Sequence, residues 1–300
     1  MIGYYISMEI NVQPGKYVVA VSGGVDSVVL LDILNQKGNL SLVVAHFDHG
    51  IRVNSKTDHD FVQKLSIKYG LPFYSKRAEL GVNASEDAAR KARYDFLTGV
   101  LSDTDSDSIV TAHHQDDLIE TATFNLLRGT GRRGLSSLKS TDIIKRPLLD
   151  YSKSDLIEYA KENNLAWVED QTNYDTKYSR NFIRHKLLSG LSDRSKKDFI
   201  HLLGNSSKIN DELDIEITRQ INTHSSGNIL DRNWFIMLPH KVSAEIMASW
   251  LRSQGLGSFD KKTIDRSVVA AKTFENNKRL DIYDNARLEI GKNSLRIIRL

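Results

Sequence analysis

The chain has 300 residues, long for one core and enough for two domains, one of them large enough to bury a sheet between helices. Its 40% hydrophobic and 26% charged residues are ordinary for a soluble protein, and no run approaches the roughly 18 apolar residues that crossing a bilayer takes. With 41 basic and 38 acidic side chains the net charge is +3, too small to argue for nucleic acid, and with no cysteine there is no disulfide, thiolate metal site, iron–sulfur cluster or cysteine nucleophile. The first residues, Met1 to Val12, lack a basic region, an apolar run and a small-residue cleavage site, so the expected location is cytoplasmic.

Taken in chain order, Tyr17 to Val21 is a β-branched run that follows Pro14-Gly15 and leads into glycines, and Val28 to Leu34 has helical spacing: strand, turn, helix. Leu40 to His46 reads as a second strand, and Ser55 to Tyr69 as a helix that stops at Gly70. Phe73 to Lys76 is a third strand and Ser85 to Leu101 a helix with Ser85 as N-cap. Ser108 to Ala112 is a fourth strand running into a helix over Gln115 to Leu127, and Ile143 to Lys145 is a short fifth strand. Ser154 to Asn163 reads as a helix, the pattern loosens through Val168 to Tyr178, and it becomes helical again over Asn181 to Leu188 and Lys196 to Ile209. Helices over His240 to Gln254 and Lys261 to Lys272, then alternating segments near Lys278 to Tyr283, Ala286 to Ile290 and Ser294 to Leu300, complete the chain. Alternating strands and helices predict an α/β fold with a doubly wound parallel sheet, whose ligands sit beyond the carboxyl ends of the strands. The expected division is a catalytic domain over 1–190, a helical linker over 191–225 and a smaller α+β C-terminal domain over 226–300.

The string Ser22-Gly23-Gly24-Val25-Asp26-Ser27 lies between the first strand and its helix. Backbone N–H groups and a helix N-terminus converge there on an anion site. Gly23 and Gly24 are expected to allow close approach and positive φ, with Ser22 and Ser27 offering hydroxyls. Asp26 suits such a cradle if a magnesium ion bridges it to phosphates. No lysine precedes Ser27, which disfavours transfer of a γ-phosphoryl group. At the end of the fourth strand, Ala112-His113-His114-Gln115-Asp116-Asp117 with Glu120 brings acids to the first turns of a helix. Acids there also complement a helix dipole, which leaves the two histidines unexplained. Six basic residues between Arg128 and Arg146 face only Asp142, and seven between Lys177 and Lys197 face only Asp193. A metal-dependent phosphohydrolase built on His46-Phe47-Asp48-His49 and the second histidine motif is a competing reading, in which the glycine loop has no purpose.

The SGGVDS loop resembles that of the N-type ATP pyrophosphatases, which split ATP between its α and β phosphates. The ordered set SGGVDS at Ser22, HFDHGIR at His46, EDAARKARYDFL at Glu86, TAHHQDDLIET at Thr111, LLRGTGRRGL at Leu126, RPLL at Arg146, EDQTN at Glu169 and RNFIRHKLL at Arg180 resembles the tRNA(Ile)-lysidine synthetase family. The resemblance covers about Val18 to Leu188, and more weakly the Leu238 to Leu251 stretch. Ala112 stands where the family usually has glycine, and the chain resembles the family's shorter form, with one C-terminal module.

What the resemblance implies is a PP-loop fold of the adenine nucleotide alpha hydrolase kind and an ATP-dependent ligase. Such an enzyme adenylates C2 of the wobble cytidine in the CAU anticodon of tRNA(Ile). Free L-lysine then displaces AMP to give lysidine. It also implies site residues: Ser22, Gly23, Gly24, Val25, Asp26 and Ser27 for ATP, and Asp26 with Asp116 for magnesium. Asp26, His113, Asp117 and Glu120 would act in catalysis, His113 toward the phosphates and Asp117 and Glu120 toward lysine or the metal. Arg90 and Arg93 would orient ATP or the target base. Arg128, Arg132, Arg133, Arg180 and Arg184 would grip the anticodon stem-loop. Expected partners are the tRNA and lysine, with no membrane, and a homodimer is left open. Thiolation enzymes of the same superfamily need cysteines, which this chain lacks. Amide-forming synthetases with the same loop, and a non-catalytic tRNA-binding protein, remain as alternatives.

Overall fold

The computed structural model describes residues 8–50, 55–78, 85–169, 182–257, 259–283 and 286–300, which divide into two compact units, 1–206 and 207–300. Arg180, Ile51, Arg52 and the Asp170–Asn173 part of the EDQTN motif lie outside the described residues.

The first unit is built on five parallel strands, β1 (Gly15–Ala20), β2 (Leu40–Asp48), β3 (Phe73–Arg77), β4 (Ser108–Val110) and β5 (Ile144–Lys145), in the order β3-β2-β1-β4-β5. This is the predicted doubly wound parallel sheet. The central strands are covered on both faces, which is why they read as continuous apolar runs. Val19 and Val44 pack with α1 (Val25–Gln36), α2 (Ser55–Tyr69) and α6 (Lys153–Glu162). Their neighbours Val18 and Val43 pack with Leu97 and Val100 of α3 (Glu86–Asp103), whose N-cap is Ser85 as expected. The order reverses between β1 and β4, so a crevice opens beyond the carboxyl ends of those two strands.

Between α3 and α6 lie α4 (Gln115–Leu127) and the four-residue α5 (Arg132–Leu135). A π-type turn, α7 (Ile183–Leu188), follows, where the sequence predicts an ordinary helix from Asn181. The helix expected over Lys196 to Ile209 is much longer: α8 runs Asp193–His224, through the point at which the two units divide. None of the described helices is long and apolar enough to cross a membrane.

The second unit carries an antiparallel sheet in the order β6-β7-β10-β9-β8, from β6 (Ser225–Ser226), β7 (Ile229–Asp231), β8 (Lys278–Tyr283), β9 (Ala286–Ile290) and β10 (Ser294–Arg299). It packs with α9 (Arg232–Met237), α10 (His240–Ser253) and α11 (Lys261–Thr273) around Trp250, Phe235, Leu288 and Leu295. The buried Arg232 is held by donating to the carbonyls of Ala271, Phe274 and Gly291 and to the Asn276 side-chain oxygen, so its charge is solvated by neutral oxygens.

Candidate active site

Two loops meet at the reversal of strand order. The first is SGGVDS, between β1 and α1. Ser27, almost wholly buried, organises it: its hydroxyl donates to the Gly24 carbonyl at 2.9 Å and accepts from the Ser22 and Gly23 amides at 3.2 Å. Gly23 has φ of 96°, which favours glycine, and its carbonyl accepts from the Val168 amide at 2.9 Å. Gly24 corrects the sequence expectation. It is the N-cap of α1 with φ −71° and ψ 159°, an ordinary extended conformation. Its missing side chain therefore serves open space and not backbone freedom. Val25 points into the core, so its contribution to an anion is limited to its backbone.

These differences separate the two glycines experimentally. Gly24→Ala meets nothing closer than the Ser22 hydroxyl at 3.6 Å and should leave the thermal midpoint unchanged, while a methyl at the mouth of the cradle lowers ATP affinity. Gly23→Ala should cost stability, about 1–2 kcal/mol, because alanine is strained at positive φ. Thermal unfolding beside ATP titration of both variants checks this contrast.

The second loop is Thr111 to His114. Histidines 113 and 114 are consecutive at the entry to α4, where His114 is in extended backbone, and their environments are opposite in charge. His113 bonds the Thr111 hydroxyl at 2.9 Å. Burial, then Arg146, Arg93 and Arg90, push it down to about 3, so it is a neutral imidazole at working pH. The guanidinium groups of Arg90 and Arg93 lie 5.0 and 5.3 Å from the centre of the Tyr94 ring, and Arg146 is buried. Arg90, Arg93, Arg146 and His113 thus form a basic lobe.

His114, 3% exposed, lies among carboxylates: 3.7 Å from Asp26, 3.5 Å from Asp116 and 3.5 Å from Asp117. Burial alone would lower its pKa, but Asp116, Asp117 and Asp26 outweigh it and raise it. Asp116 is in turn held down to about 2 by His114, helped by the Lys153 amide that donates to it at 2.8 Å. Asp117 accepts from the His114 amide at 3.1 Å and so fixes the start of α4. One turn on, Glu120 is 4% exposed and bidentate with Arg184, at 2.5 and 3.0 Å. Burial pushes the Glu120 carboxyl up and the guanidinium opposes it. Asp26 holds the Lys153 ammonium through both oxygens, at 2.7 and 2.8 Å.

The structure thus brings Asp26, Asp116, Asp117, Glu120 and Arg184 into one acidic lobe with compensating cations, and sets His113, Arg90 and Arg93 beside it. Arg184, expected on the basic nucleic-acid face, is engaged with Glu120. Arg128 is exposed and stacks at 5.0 Å on Phe124, while Arg132 and Arg133 are half-buried in α5. Arg146, His114 and Lys153 are site residues that the motif assignments left out. RPLL and the second histidine were visible signals for two of them; Lys153 had none. The histidines of the competing phosphohydrolase reading are otherwise arranged. His46 donates from Nδ1 to the Val21 carbonyl at 2.9 Å, Asp48 accepts from the Gly50 amide at 2.8 Å, and among the described residues no three side chains are grouped as metal ligands.

A family model described as a PP-loop domain matches residues 5–191, spanning both loops and the whole parallel sheet. The chain belongs to the PP-loop family. Curated relatives of this PP-loop protein include the tRNA(Ile)-lysidine synthase of Thermotoga maritima, 38% identical over 188 residues, which are 59% of this chain and 45% of that one. The synthases of the same name from Thermosipho africanus and Rickettsia bellii are 41% and 43% identical over 186 and 182 residues, covering 58% and 57% of this chain and 43% and 42% of theirs. The match spans under half the length of these relatives. Among solved structures, the U34-tRNA thiolase NcsA from Methanococcus maripaludis with its [4Fe-4S] cluster superposes with a TM-score of 0.52 at 19% identity, over 65% of this chain and 73% of that one. That likeness is one of fold. This PP-loop chain has no cysteine to bind such a cluster.

Proposed function

We propose that the protein uses ATP to ligate L-lysine to C2 of the wobble cytidine of the CAU anticodon of tRNA(Ile), releasing AMP and pyrophosphate. The observation that carries this reading is the pairing of opposite lobes beside one anion cradle: His113, Arg90, Arg93 and Arg146 against Asp26, Asp116, Asp117 and Glu120. The similarity to curated lysidine synthases, over 59% and 57% of this chain, supports it further.

In this reading the α1 N-terminus, with the first-turn amides of Val25, Asp26 and Ser27, holds the β and γ phosphates, and the C2 oxygen attacks the α phosphorus. The basic lobe stabilises negative charge on the reacting phosphate, with neutral His113 as a hydrogen-bonding group. Asp117, partly exposed, receives the ε-ammonium of lysine, while Glu120 acts through Arg184. The ammonium gives a proton to Asp117, the amine bonds to C2, and the C2–oxygen bond breaks as the oxygen leaves with AMP. A magnesium ion would neutralise the departing pyrophosphate. The hard, partly exposed carboxylate of Asp26 fits it, since magnesium needs only one or two carboxylates beside phosphate oxygens. Asp116, 32% exposed against 28% for Asp26, is engaged by His114 and the Lys153 amide as Asp26 is by the Lys153 ammonium, so it fits the ion as well. The exposed Arg128 and the second unit are assigned to the tRNA.

The test is incubation with ATP, magnesium, radiolabelled lysine and transcripts of tRNA(Ile) and tRNA(Met), both bearing CAU. Label is expected in the isoleucine transcript alone, with one AMP per lysine. ATP cleavage with no label in RNA would replace this reading with an amide-forming synthetase. Asp26→Ala should abolish incorporation while tRNA binding persists.

A further inference from the structure

The SGGVDS loop has no lysine of its own, yet a lysine ammonium sits on it. Lys153 is the first residue of α6, and its Nζ lies 2.7 and 2.8 Å from the two carboxylate oxygens of Asp26, which is in the first turn of α1. Stability does not account for this placement. A cation at a helix N-terminus opposes the helix dipole, and an ion pair whose partners are 41% and 28% exposed contributes little.

The surrounding structure nevertheless fixes Lys153 closely. Its main-chain amide donates to Asp116 at 2.8 Å. The preceding Ser152 begins α6 through a reciprocal cap with Asp155, its amide donating to that carboxylate at 2.7 Å. Six residues along each helix, Tyr159 of α6 donates to the buried Asp32 of α1 at 2.8 Å, and Asp32 also accepts from Tyr69 at 2.6 Å. Lys153–Asp26 and Tyr159–Asp32 are rungs at the same offset, so α1 and α6 run parallel and start side by side. Two helix N-termini and one ammonium therefore meet at the anion cradle.

We propose that Lys153 is the phosphate-binding cation missing from the loop, supplied across the crevice from α6. This rests on the reading that the loop binds ATP, and not on the identity of the acceptor. An ammonium has three donors. Two reach Asp26, and the third bonds an oxygen of the β or γ phosphate, so that one lysine both restrains Asp26 and offsets its repulsion of the nucleotide.

Affinity for ATP and for inorganic pyrophosphate, measured by calorimetry on the full chain, separates direct contact from mere shielding of Asp26. Lys153→Met is expected to weaken both about ten- to a hundredfold, as loss of a charge-assisted hydrogen bond does. The same loss is expected when Lys153→Met is added to Asp26→Asn. If Lys153→Met changes nothing in the Asp26→Asn background, the lysine only shields Asp26 and the proposal fails. Because the chain has no cysteine, Lys153→Cys gives a single thiol that 2-bromoethylamine converts to a lysine analogue. Recovery of affinity on alkylation is expected, and its absence in protein with an unchanged circular dichroism spectrum would overturn the proposal. Failure of the wild type to bind ATP would overturn the loop reading and this one together. Tight ATP binding without lysine transfer to tRNA would remove only the proposed acceptor.

Discussion

Asp117→Asn is expected to raise the KM for lysine by about two orders of magnitude, while lysine-independent release of pyrophosphate in the presence of ATP and tRNA stays within a few-fold of wild type. The substitution is nearly isosteric. Asparagine keeps an oxygen to accept from the His114 amide, now bonded at 3.1 Å to Asp117, so the start of α4 survives. What is lost is a charge. Of the two carboxylates that the resemblance gives to lysine, Asp117 is 24% exposed on its side chain and Glu120 5%, so Asp117 is the one able to meet an incoming ammonium. Truncating one partner of a desolvated charge pair costs about 2–5 kcal/mol, or roughly thirtyfold to a few thousandfold in affinity. The measurement is the lysine dependence of label incorporation beside pyrophosphate release without lysine. An unchanged KM would take lysine recognition away from Asp117, and an equal loss in both assays would place the residue in adenylation.

How much of this was legible in the sequence depends on whether a feature is local. The glycine loop and α4 stood out because strand, glycine, hydroxyl and acid sit within a dozen residues and each has a local mechanism. The doubly wound sheet followed from alternating apolar periods. β6 and β7, of two and three residues, are too short for alternation to register. The sequence reading of α8 ends at Ile209 because beyond it Leu213, Ile215 and Ile217 alternate with acids, which is not helical spacing, and the helix continues on the strength of later buried positions such as Ile217 and Ile221. The Lys153–Asp26 contact joins residues 127 positions apart, and a lysine at the first position of a helix carries no sequence signal of that reach. His114 escaped assignment because the residue beside it took the motif. Only the extended backbone at the mouth of α4, which turns neighbouring side chains to opposite sides, reveals that the two histidines serve opposite lobes.

The Arg184–Glu120 pair is where the site and the stability of the first unit are one matter. Arg184→Met keeps most of the side-chain volume but leaves a carboxylate that is 4% exposed without its guanidinium, expected to cost about 3–5 kcal/mol at pH 8. The cost depends on pH in a direction that can be stated. Burial already raises the Glu120 pKa, and without Arg184 nothing in the pair opposes it. Below the unfolded value, near 4.5, both folded and unfolded states carry the proton and there is no penalty. As pH rises toward the elevated folded value, the unfolded chain ionises while the folded one retains its proton. Stability therefore falls with pH, by up to about 1.4 kcal/mol per unit for one proton. Denaturant unfolding of Arg184→Met should show a lower midpoint at pH 8 than at pH 5, beyond any such change in wild type. Adding Glu120→Gln should remove that extra dependence and recover part of the loss, because the amide carries no charge to strand. A double variant as unstable and as pH-sensitive as the single one would mean that Arg184 stabilises through the packing of its stem, and that the carboxylate opposite it is neutral in the native protein.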